Sequence, residues 1–358
     1  MRNSLGTGAV PIGAARDARV RRGGSGMVTF DESELLHQGS VIYSRRGELE
    51  AIAESVCERG FDNILLSSSG GSQAMLDPFA SMLNEMSDIP VASMLSGVLV
   101  ITGYNQLGPK TLVFMSSKSG DTKETVKAAE YLRERDAIIV SVVGRPDSPL
   151  EALSDYCFVY GDGRPQELAL YLILGKILHV RGRFDRYPAF ADSLSNLASA
   201  LVSVRKQFDV RAIEYCKAYH DDPYNIWVAS GDLWPVCYAY AMCVLEESQW
   251  IRTKSVSSPE FFHGTLELVE PDVSVTLLVT EGATRELDLR VKRFIEQYTD
   301  RATVIDCAEF ELPGIDPEFR RLLGPVVANA ALQRISKNME HLTGHSLDIR
   351  RYYRKVEY

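Results

Sequence analysis

The sequence lacks the cysteine pattern of a disulfide-stabilised or zinc-binding protein. Its 358 residues include six cysteines, but these are scattered and no two of them form a C-x-x-C pair. Scattered cysteines are typical of buried, reduced thiols, so we expect a cytoplasmic protein with neither a disulfide framework nor a metal site. Since no apolar run reaches the length of a membrane span, we expect no membrane partner.

Basic residues are not in excess, and the common nucleotide-binding motifs are missing. The chain carries 39 lysines and arginines against 48 aspartates and glutamates, a formal net charge of −9. This charge argues against nucleic acid as the main partner, although a local cluster of backbone N–H groups can still bind a small anion. Neither the Walker A pattern nor the glycine spacing of a dinucleotide-binding fold is present, and we predict no cofactor.

The length permits two domains, which follow an arginine-rich leader. Residues 1–26 are rich in glycine, alanine and arginine and have no apolar segment of the kind found in a signal peptide. We interpret them as a disordered leader or a non-native extension, with Met27 as a plausible start.

Short apolar runs alternate with segments of helical periodicity in the first half of the chain. The runs Asn63–Leu66, Thr111–Met115 and Ala137–Val143 are too short for helices, and helical patterns separate them. This alternation predicts an α/β fold in which helices cover both faces of a parallel sheet. Before the first strand, the spacing of apolar residues predicts one helical segment from Asp31 to Gly60.

The second half of the chain repeats the first. When the sequence is shifted by 162 residues, Glu85 falls on Glu247, Gly120 falls on Gly282, and predicted strands fall on predicted strands. The matches concentrate at strand ends and turns, which indicates two copies of one α/β unit. The predicted organisation is a first domain over 27–180, a helical linker over 181–219, and a second domain over 220–358 with a C-terminal tail.

Serine- and glycine-rich loops follow two predicted strands of the first copy. Ser69–Ser72 and Ser117–Thr122 lie where carboxyl ends of parallel strands meet helix N-termini, which is where ligands bind in such sheets. Glycines allow the backbone to approach a ligand, and free N–H groups with serine and threonine hydroxyls suit a phosphate group. The alternative is that these are ordinary helix caps and tight turns. The predicted phosphate site consists of Ser72, Ser117, Lys118, Ser119 and Thr122.

The second copy carries a carboxylate and an imidazole. Glu247 and His263 lie sixteen residues apart, and an acid and a base of these kinds can move a proton between adjacent carbon atoms of a sugar. The alternative is that Glu247 lies on a solvated helix face and His263 in the core. Glu246 is the obvious rival of Glu247 and is more typical of a structural or solvated acid.

These residues resemble a known family. Ser117–Thr122 is similar to the S-x-S-G-x-T phosphate loop of the sugar isomerase (SIS) domain. Two tandem SIS domains form the isomerase half of glucosamine-6-phosphate synthase, which also has a Glu followed sixteen residues later by His-Gly. The chain more closely resembles bacterial Amadori-product deglycases, in particular the fructose-asparagine 6-phosphate deglycase branch. This likeness is carried by Gln249–Ile251, Glu260–Gly264 and Arg350–Tyr358. It implies two tandem SIS domains, each a three-layer αβα, flavodoxin-like unit.

The resemblance also implies an activity. The family's deglycases act on 6-phosphofructosyl amino acids, so we expect a hydrolase that releases glucose 6-phosphate and a free amino acid by C1/C2 proton transfer and imine hydrolysis. Glu247 and His263 would be catalytic, Lys355 would lie near the substrate, and no metal or cofactor would be required. The family further implies a homodimer in which the histidine arrives from the neighbouring subunit.

Other functions stay open at this point. A phosphosugar aldose–ketose isomerase or a glucosamine-6-phosphate deaminase would use the same fold, and SIS domains also serve as non-enzymatic sugar-phosphate sensors. A sensor would need an effector domain, and residues 1–60 show no helix-turn-helix pattern. The sequence does not identify the released amino acid, because its pocket would lie in loops that carry no recognisable motif.

Overall fold

The computed structural model describes residues 27–357, and the leader predicted over residues 1–26 lies outside this part of the chain. Strands and helices alternate in the first half, as the apolar runs predict. The elements are α1 Glu32–Tyr43, α2 Arg46–Arg59, β1 Asn63–Ser68, α3 Gly70–Met86, β2 Val91–Leu95, α4 Ser96–Thr102, β3 Thr111–Ser117, α5 Lys123–Arg133, β4 Ile138–Val143, α6 Pro149–Leu153 and β5 Tyr156–Val159.

Helices connect this unit to a second one of the same kind. The connecting helices are α7 Glu167–Val180, α8 Tyr187–Ser193 and α9 Leu197–Tyr219. The second unit contains β6 Asn225–Ala229, α10 Trp234–Ala239, a π-helix Tyr240–Gln249, β7 Thr253–Ser257, α11 Ser258–Phe261, β8 Ser274–Val279, α12 Arg285–Tyr298, β9 Ala302–Asp306 and α13 Gly324–Thr343. Within residues 27–357, no helix combines the length and apolarity needed to cross a membrane.

The four strands of the second sheet have the same order as the first four of the five-stranded first sheet. The first sheet runs β2-β1-β3-β4-β5 and the second runs β7-β6-β8-β9, and all neighbouring strands are parallel. A shift of 162 residues carries β2 onto β7 residue for residue and brings the start of α5 onto the start of α12. The predicted α/β fold with two parallel sheets is therefore confirmed, and the order of the first sheet is that of flavodoxin-like folds.

Burial explains which strands the sequence revealed. Every residue of β1, β3 and β4 is buried, because helices cover both faces of the sheet, and such strands read as continuous apolar runs. The edge strands β2 and β7 are only partly buried. β7 contains one apolar residue, Val256, whereas β2 is apolar apart from Ser93 but only five residues long. Sequence reasoning did not single out β2 as a strand, and it did not single out β7.

One apolar core joins the two units. It extends from Phe114 in the first sheet through Leu172 of α7 and Ile335 of α13 to Trp227 in the second sheet. The units therefore pack against each other through buried helices rather than through a flexible connection. This packing fixes how the loops of one unit face the helices of the other.

The expectation of one helical segment from Asp31 to Gly60 was wrong. The segment forms two helices that separate at Arg45, whose φ of −102° and ψ of 21° are not helical. The Arg45 guanidinium donates a hydrogen bond to the carbonyl oxygen of Val159 at 2.6 Å and lies 4.2 Å from the ring centre of Phe158. These contacts with the sheet edge outweigh the local helical preference.

Candidate active site

The two serine-rich loops of the first unit lie side by side. β1 and β3 are neighbours in the sheet, and Ser69–Ser72 follows β1 while Ser117–Thr122 follows β3. A hydrogen bond of 3.2 Å from Thr125 Oγ1 to Ser69 Oγ connects the first loop to α5, the helix that follows the second loop. Because each loop leads into the N-terminus of a helix, free N–H groups and the helix dipole favour an anion between them.

The loop Ser117–Thr122 is held in one conformation by its own polar groups. Gly120 N donates to Ser117 Oγ at 3.0 Å, and Ser117 Oγ lies 3.1 Å from Thr122 Oγ1. Gly120 has a φ of 70°, and a Cβ atom there would lie 2.2 Å from Ser148 Oγ, so the position requires glycine. The buried hydroxyl of Ser117 is thus engaged within the loop, whereas Lys118 is exposed.

Ser72 lies half-buried in the first turn of α3, beside a polar residue that sequence reasoning missed. Gln73 is 5% exposed. Its Oε1 accepts a hydrogen bond from Ser68 N at 2.5 Å, and its Nε2 donates to Asp77 Oδ1 and Ser93 Oγ, both at 2.7 Å. These bonds attach the first turn of α3 to the end of β1 and to the middle of β2 and so position the loop.

Glu247 and Glu246 have different partners. Both lie on the π-helix Tyr240–Gln249, and π-helical segments are rare and frequent at functional sites. Glu247 Oε1 accepts a hydrogen bond from Arg350 Nε at 2.6 Å, and the glutamate side chain is 33% exposed. Glu246 Oε1 instead accepts a hydrogen bond of 2.5 Å from Thr253 Oγ1 on β7. Glu246 is therefore engaged with the sheet edge, whereas Glu247 contacts the C-terminal part of the chain.

The π-helix of the second unit runs past the N-terminus of α3 in the first. A Cβ atom on Gly71 would lie 3.7 Å from Cys243 Sγ, and Cys243 precedes Glu247 by about one helical turn. Burial raises the pKa of the Cys243 thiol to about 11, and the charge of Glu247 acts in the same direction. Glu247 therefore lies close to the serine-rich loop that begins α3.

His263 follows α11 in an exposed turn. Its backbone N–H donates to the carbonyl oxygen of Glu260 at 2.9 Å. Across residues 27–357, its ring forms no hydrogen bond, and none joins it to Glu247. Within the described chain, the His263 imidazole can therefore form hydrogen bonds with a group from outside the chain.

The C-terminal segment, residues 345–357, connects the two halves of the site. Arg354 Nη2 donates to Ser119 Oγ at 3.0 Å and to Asp121 Oδ1 at 2.8 Å. Arg350, four residues earlier, holds the catalytic candidate of the π-helix. Hydrogen bonds from Ser119 and Arg354 keep the pKa of Asp121 below its ordinary value, so a carboxylate of the second serine-rich loop faces Arg354.

Residues at the end of the π-helix anchor this segment. Gln249 Nε2 donates to the carbonyl oxygen of His345 at 3.0 Å. The ring of Trp250 lies edge-on to His345 at 4.4 Å between centres, and the guanidinium of Arg351 lies 3.9 Å above Trp250. Trp250 itself adopts a left-handed conformation with φ of 60°, which ends the helix and directs its side chain to the segment.

Lys355, which the resemblance places near the substrate, lies in the same C-terminal segment. Its Nζ donates to the carbonyl oxygen of Arg350, and within the described chain it forms no hydrogen bond with either serine-rich loop. The neighbouring Arg354 contacts Ser119 of the second loop. Sequence reasoning gave no role to Arg350 or Arg354.

Comparison with known proteins identifies the family. The SIS domain family matches residues 60–172. Fructosamine deglycase FrlB of Bacillus subtilis strain 168 is 30% identical over 319 residues, which cover 87% of this chain and 97% of that protein. Fructoselysine 6-phosphate deglycase of Escherichia coli K12 is 25% identical over 330 residues, or 91% of this chain and 94% of that one.

A solved structure agrees with this result. A Bacillus subtilis protein classed as a phosphosugar isomerase superposes with a TM-score of 0.83 at 27% identity, over 91% of this chain and 100% of that one. The resemblance found in the motifs is confirmed over nearly the whole described chain. The protein is an enzyme that belongs to the SIS-domain family of fructosamine deglycases.

Proposed function

We propose that the protein cleaves a 6-phosphofructosyl amino acid with water to glucose 6-phosphate and a free amino acid. The observation that carries the proposal is the C-terminal segment, in which Arg350 contacts Glu247 and Arg354 contacts Ser119 of the phosphate loop. The π-helix that carries Glu247 also passes the first serine-rich loop, where a Cβ atom on Gly71 would lie 3.7 Å from Cys243 Sγ, which supports a site in which the acid and the loops act on one sugar phosphate. The names of the two deglycase relatives support the same class of substrate.

The chemistry requires one proton shuttle. In the open-chain substrate, Glu247 takes a proton from C1, which carries the amine, and an enaminol forms with the C2 carbonyl. Return of a proton to C2 gives an imine, and water adds to C1 and releases the amine as the free amino acid. Arg350 orients the carboxylate through the 2.6 Å hydrogen bond, and His263 opens the sugar ring or acts as the general acid.

The phosphate is proposed to bind between the two loops of the first unit. Donors at this position are the N-termini of α3 and α5, the exposed Lys118, and the hydroxyls that the sequence predicts as ligands, Ser72, Ser117, Ser119 and Thr122. Arg354 adds a guanidinium, which suits a phosphate group better than an ammonium because it can donate two parallel hydrogen bonds. The phosphate would take the place of Asp121 as the partner of Arg354.

His263 is proposed to act in the site of a partner subunit. Its ring is exposed and has no hydrogen bond within the described chain. In the repeat, α4 corresponds to α11, and at α4 the side chains of Leu95, Val98 and Ile101 are exposed, the last by 85%. Exposed apolar clusters mark surfaces that bind another protein. In a two-fold dimer, each site would combine Glu247 of one chain with His263 of the other.

A panel of 6-phosphofructosyl amino acids tests the proposal. Glucose 6-phosphate and free amino acid should appear in equal amounts, and Glu247→Gln should lower turnover by at least ~10²-fold with substrate binding largely kept. Glu246→Gln is the matched control, because its partner is Thr253, and it should stay near wild type. Release of ammonia, or conversion of a sugar phosphate without release of an amino acid, would instead indicate a deaminase or an isomerase.

A further inference from the structure

A cavity of about 250 Å³ lies between α3 and the loops that follow β6 and β8. Its lining includes Glu85 of α3 together with Asp232 and Thr284 of the second unit. The shift of 162 residues relates Glu85 to Glu247, Asp232 to Gly70, and Thr284 to Thr122. The cavity is thus the counterpart, on the other side of the repeat, of the site that contains Glu247.

The counterpart cavity differs from the Glu247 site in its charge. At the end of β6, Asp232 stands where the first unit has the glycine that begins α3. Thr280 Oγ1 donates to Asp232 Oδ1 at 2.7 Å, and within residues 27–357 no second side chain donates to this carboxylate and no arginine or lysine pairs with it. A carboxylate at this point repels a phosphate group and attracts a cation.

The position of Asp232 is itself maintained by the backbone. Gly231 has a φ of 54°, and a Cβ atom there would lie 2.3 Å from Thr284 Oγ1. Ser230 Oγ donates to Thr284 Oγ1 at 2.8 Å. The loop therefore holds the Asp232 carboxylate in a preorganised position, as the first unit holds its phosphate loop.

The remaining lining combines one charged pair with apolar side chains. Glu85 forms an ion pair with Arg321, so the charged lining consists of two carboxylates and one guanidinium and has a net charge of −1. Apolar walls are formed by Phe79, Met82 and Leu322. A ligand suited to this cavity carries one positive charge and a short apolar chain.

We propose that this cavity is a second binding site, which takes a small organic ammonium ion with its charged end at Asp232. None of the residues that line the cavity belongs to the Glu247 site, so the two sites can be occupied together. The proposal does not depend on which reaction the Glu247 site performs.

The test compares three probes with the same apolar chain. Binding of n-butylammonium, 1-butanol and n-butyrate to the full chain is measured by titration calorimetry with glucose 6-phosphate in excess, so that the phosphate site is occupied. Butylammonium should bind at least about tenfold more tightly than butanol, the ratio for one charge-assisted hydrogen bond. Butyrate should not bind. Equal affinity for the amine and the alcohol would overturn the proposal.

Two variants change the charge of the cavity in opposite directions. Asp232→Asn keeps the shape of the side chain and should weaken butylammonium binding by about tenfold or more. Arg321→Gln removes the competing cation and should strengthen butylammonium binding. Damage to the fold cannot produce such a gain in affinity. Glu247→Gln leaves the cavity intact and should not alter the affinity. Failure of both Asp232→Asn and Arg321→Gln to change the affinity would show that the amine does not bind here.

Discussion

Arg354 offers the sharpest test of how the substrate phosphate is held. In the structure its guanidinium donates to Ser119 Oγ and Asp121 Oδ1 at 3.0 and 2.8 Å, and both charged side chains are about half exposed. An exposed pair of this kind contributes about 0–1 kcal/mol to stability. Arg354→Ala should therefore change the free energy of unfolding by less than ~1 kcal/mol.

The effect on substrate binding should be larger. A hydrogen bond between charged groups is worth about 1.5–3 kcal/mol. The guanidinium must leave Asp121 to reach a phosphate, and subtracting the weak exposed pair leaves about 1–2 kcal/mol. Arg354→Ala should thus raise KM for a 6-phosphofructosyl amino acid by about 5- to 30-fold. Steady-state release of glucose 6-phosphate measures this change.

Two controls separate phosphate binding from a general role of the C-terminal segment. The unphosphorylated fructosyl amino acid should be handled poorly by the wild type and should be indifferent to Arg354→Ala. Asp121→Asn removes the competing carboxylate, so phosphate affinity should stay the same or increase. Arg350 lies on the same segment but contacts Glu247, so Arg350→Ala should lower the turnover of both substrates alike. If Arg354→Ala impairs both substrates equally, or Asp121→Asn weakens binding as much, Arg354 does not bind the phosphate.

Three further predictions concern the dimer, a loop and a buried acid. Refolding inactive Glu247→Gln together with inactive His263→Ala should restore roughly a quarter of wild-type activity. About half of the dimers are mixed, and each mixed dimer has one intact site of two. If dimers shown to be mixed stay inactive, the site is not shared between subunits. Gly120→Ala should lower the free energy of unfolding by at least ~2 kcal/mol, because φ is positive and the new Cβ atom would clash with Ser148. Gly97→Ala is the control, since no atom lies within 4 Å of a Cβ atom added there, and it should be neutral or stabilising by up to ~1 kcal/mol. Urea unfolding measures both. Burial raises the pKa of Asp232 to about 6, above its value in the unfolded chain. The folded chain therefore binds the proton more tightly, which stabilises the fold at low pH. This contribution disappears as the pH rises through about 6. Asp232→Asn should remove up to about 3 kcal/mol of pH dependence between pH 4 and 7, and an unchanged pH profile of unfolding would show that Asp232 titrates normally.

The sequence predicts the buried parts of this fold better than its edges. Central strands such as Thr111–Ser117 are apolar throughout because helices cover both faces, and the repeat then locates their counterparts. β2 and β7 lie at sheet edges with partial burial, and neither the short apolar run of β2 nor the single apolar residue of β7 marks a strand by itself. Their positions follow only from pairing with β1 and β6.

In the candidate site, too, the sequence predicts the parts that depend on local geometry and not those that depend on long-range contacts. The loop Ser117–Thr122, which is proposed to bind the phosphate, could be singled out from its serines and glycine, because local backbone geometry requires those residue types. The π-helix has no sequence marker: Glu247 lies on it, whereas Glu85, at the matching position of the repeat, lies on the α-helix α3. The contacts of Arg350 and Arg354 join residues more than one hundred positions apart, so no local pattern could assign them.

The C-terminal segment also determines when during synthesis the site can be completed. Both sheets and α13 precede residues 345–357 in the chain, so the ribosome has made all nine described strands before Arg350 and Arg354 exist. A nascent chain that has folded both units still lacks the guanidinium groups that contact Glu247 and Ser119. Docking of the segment onto Gln249 and Trp250 therefore follows the synthesis of both units. Under the proposed function, a chain that stops before residue 345 would bind sugar phosphates weakly.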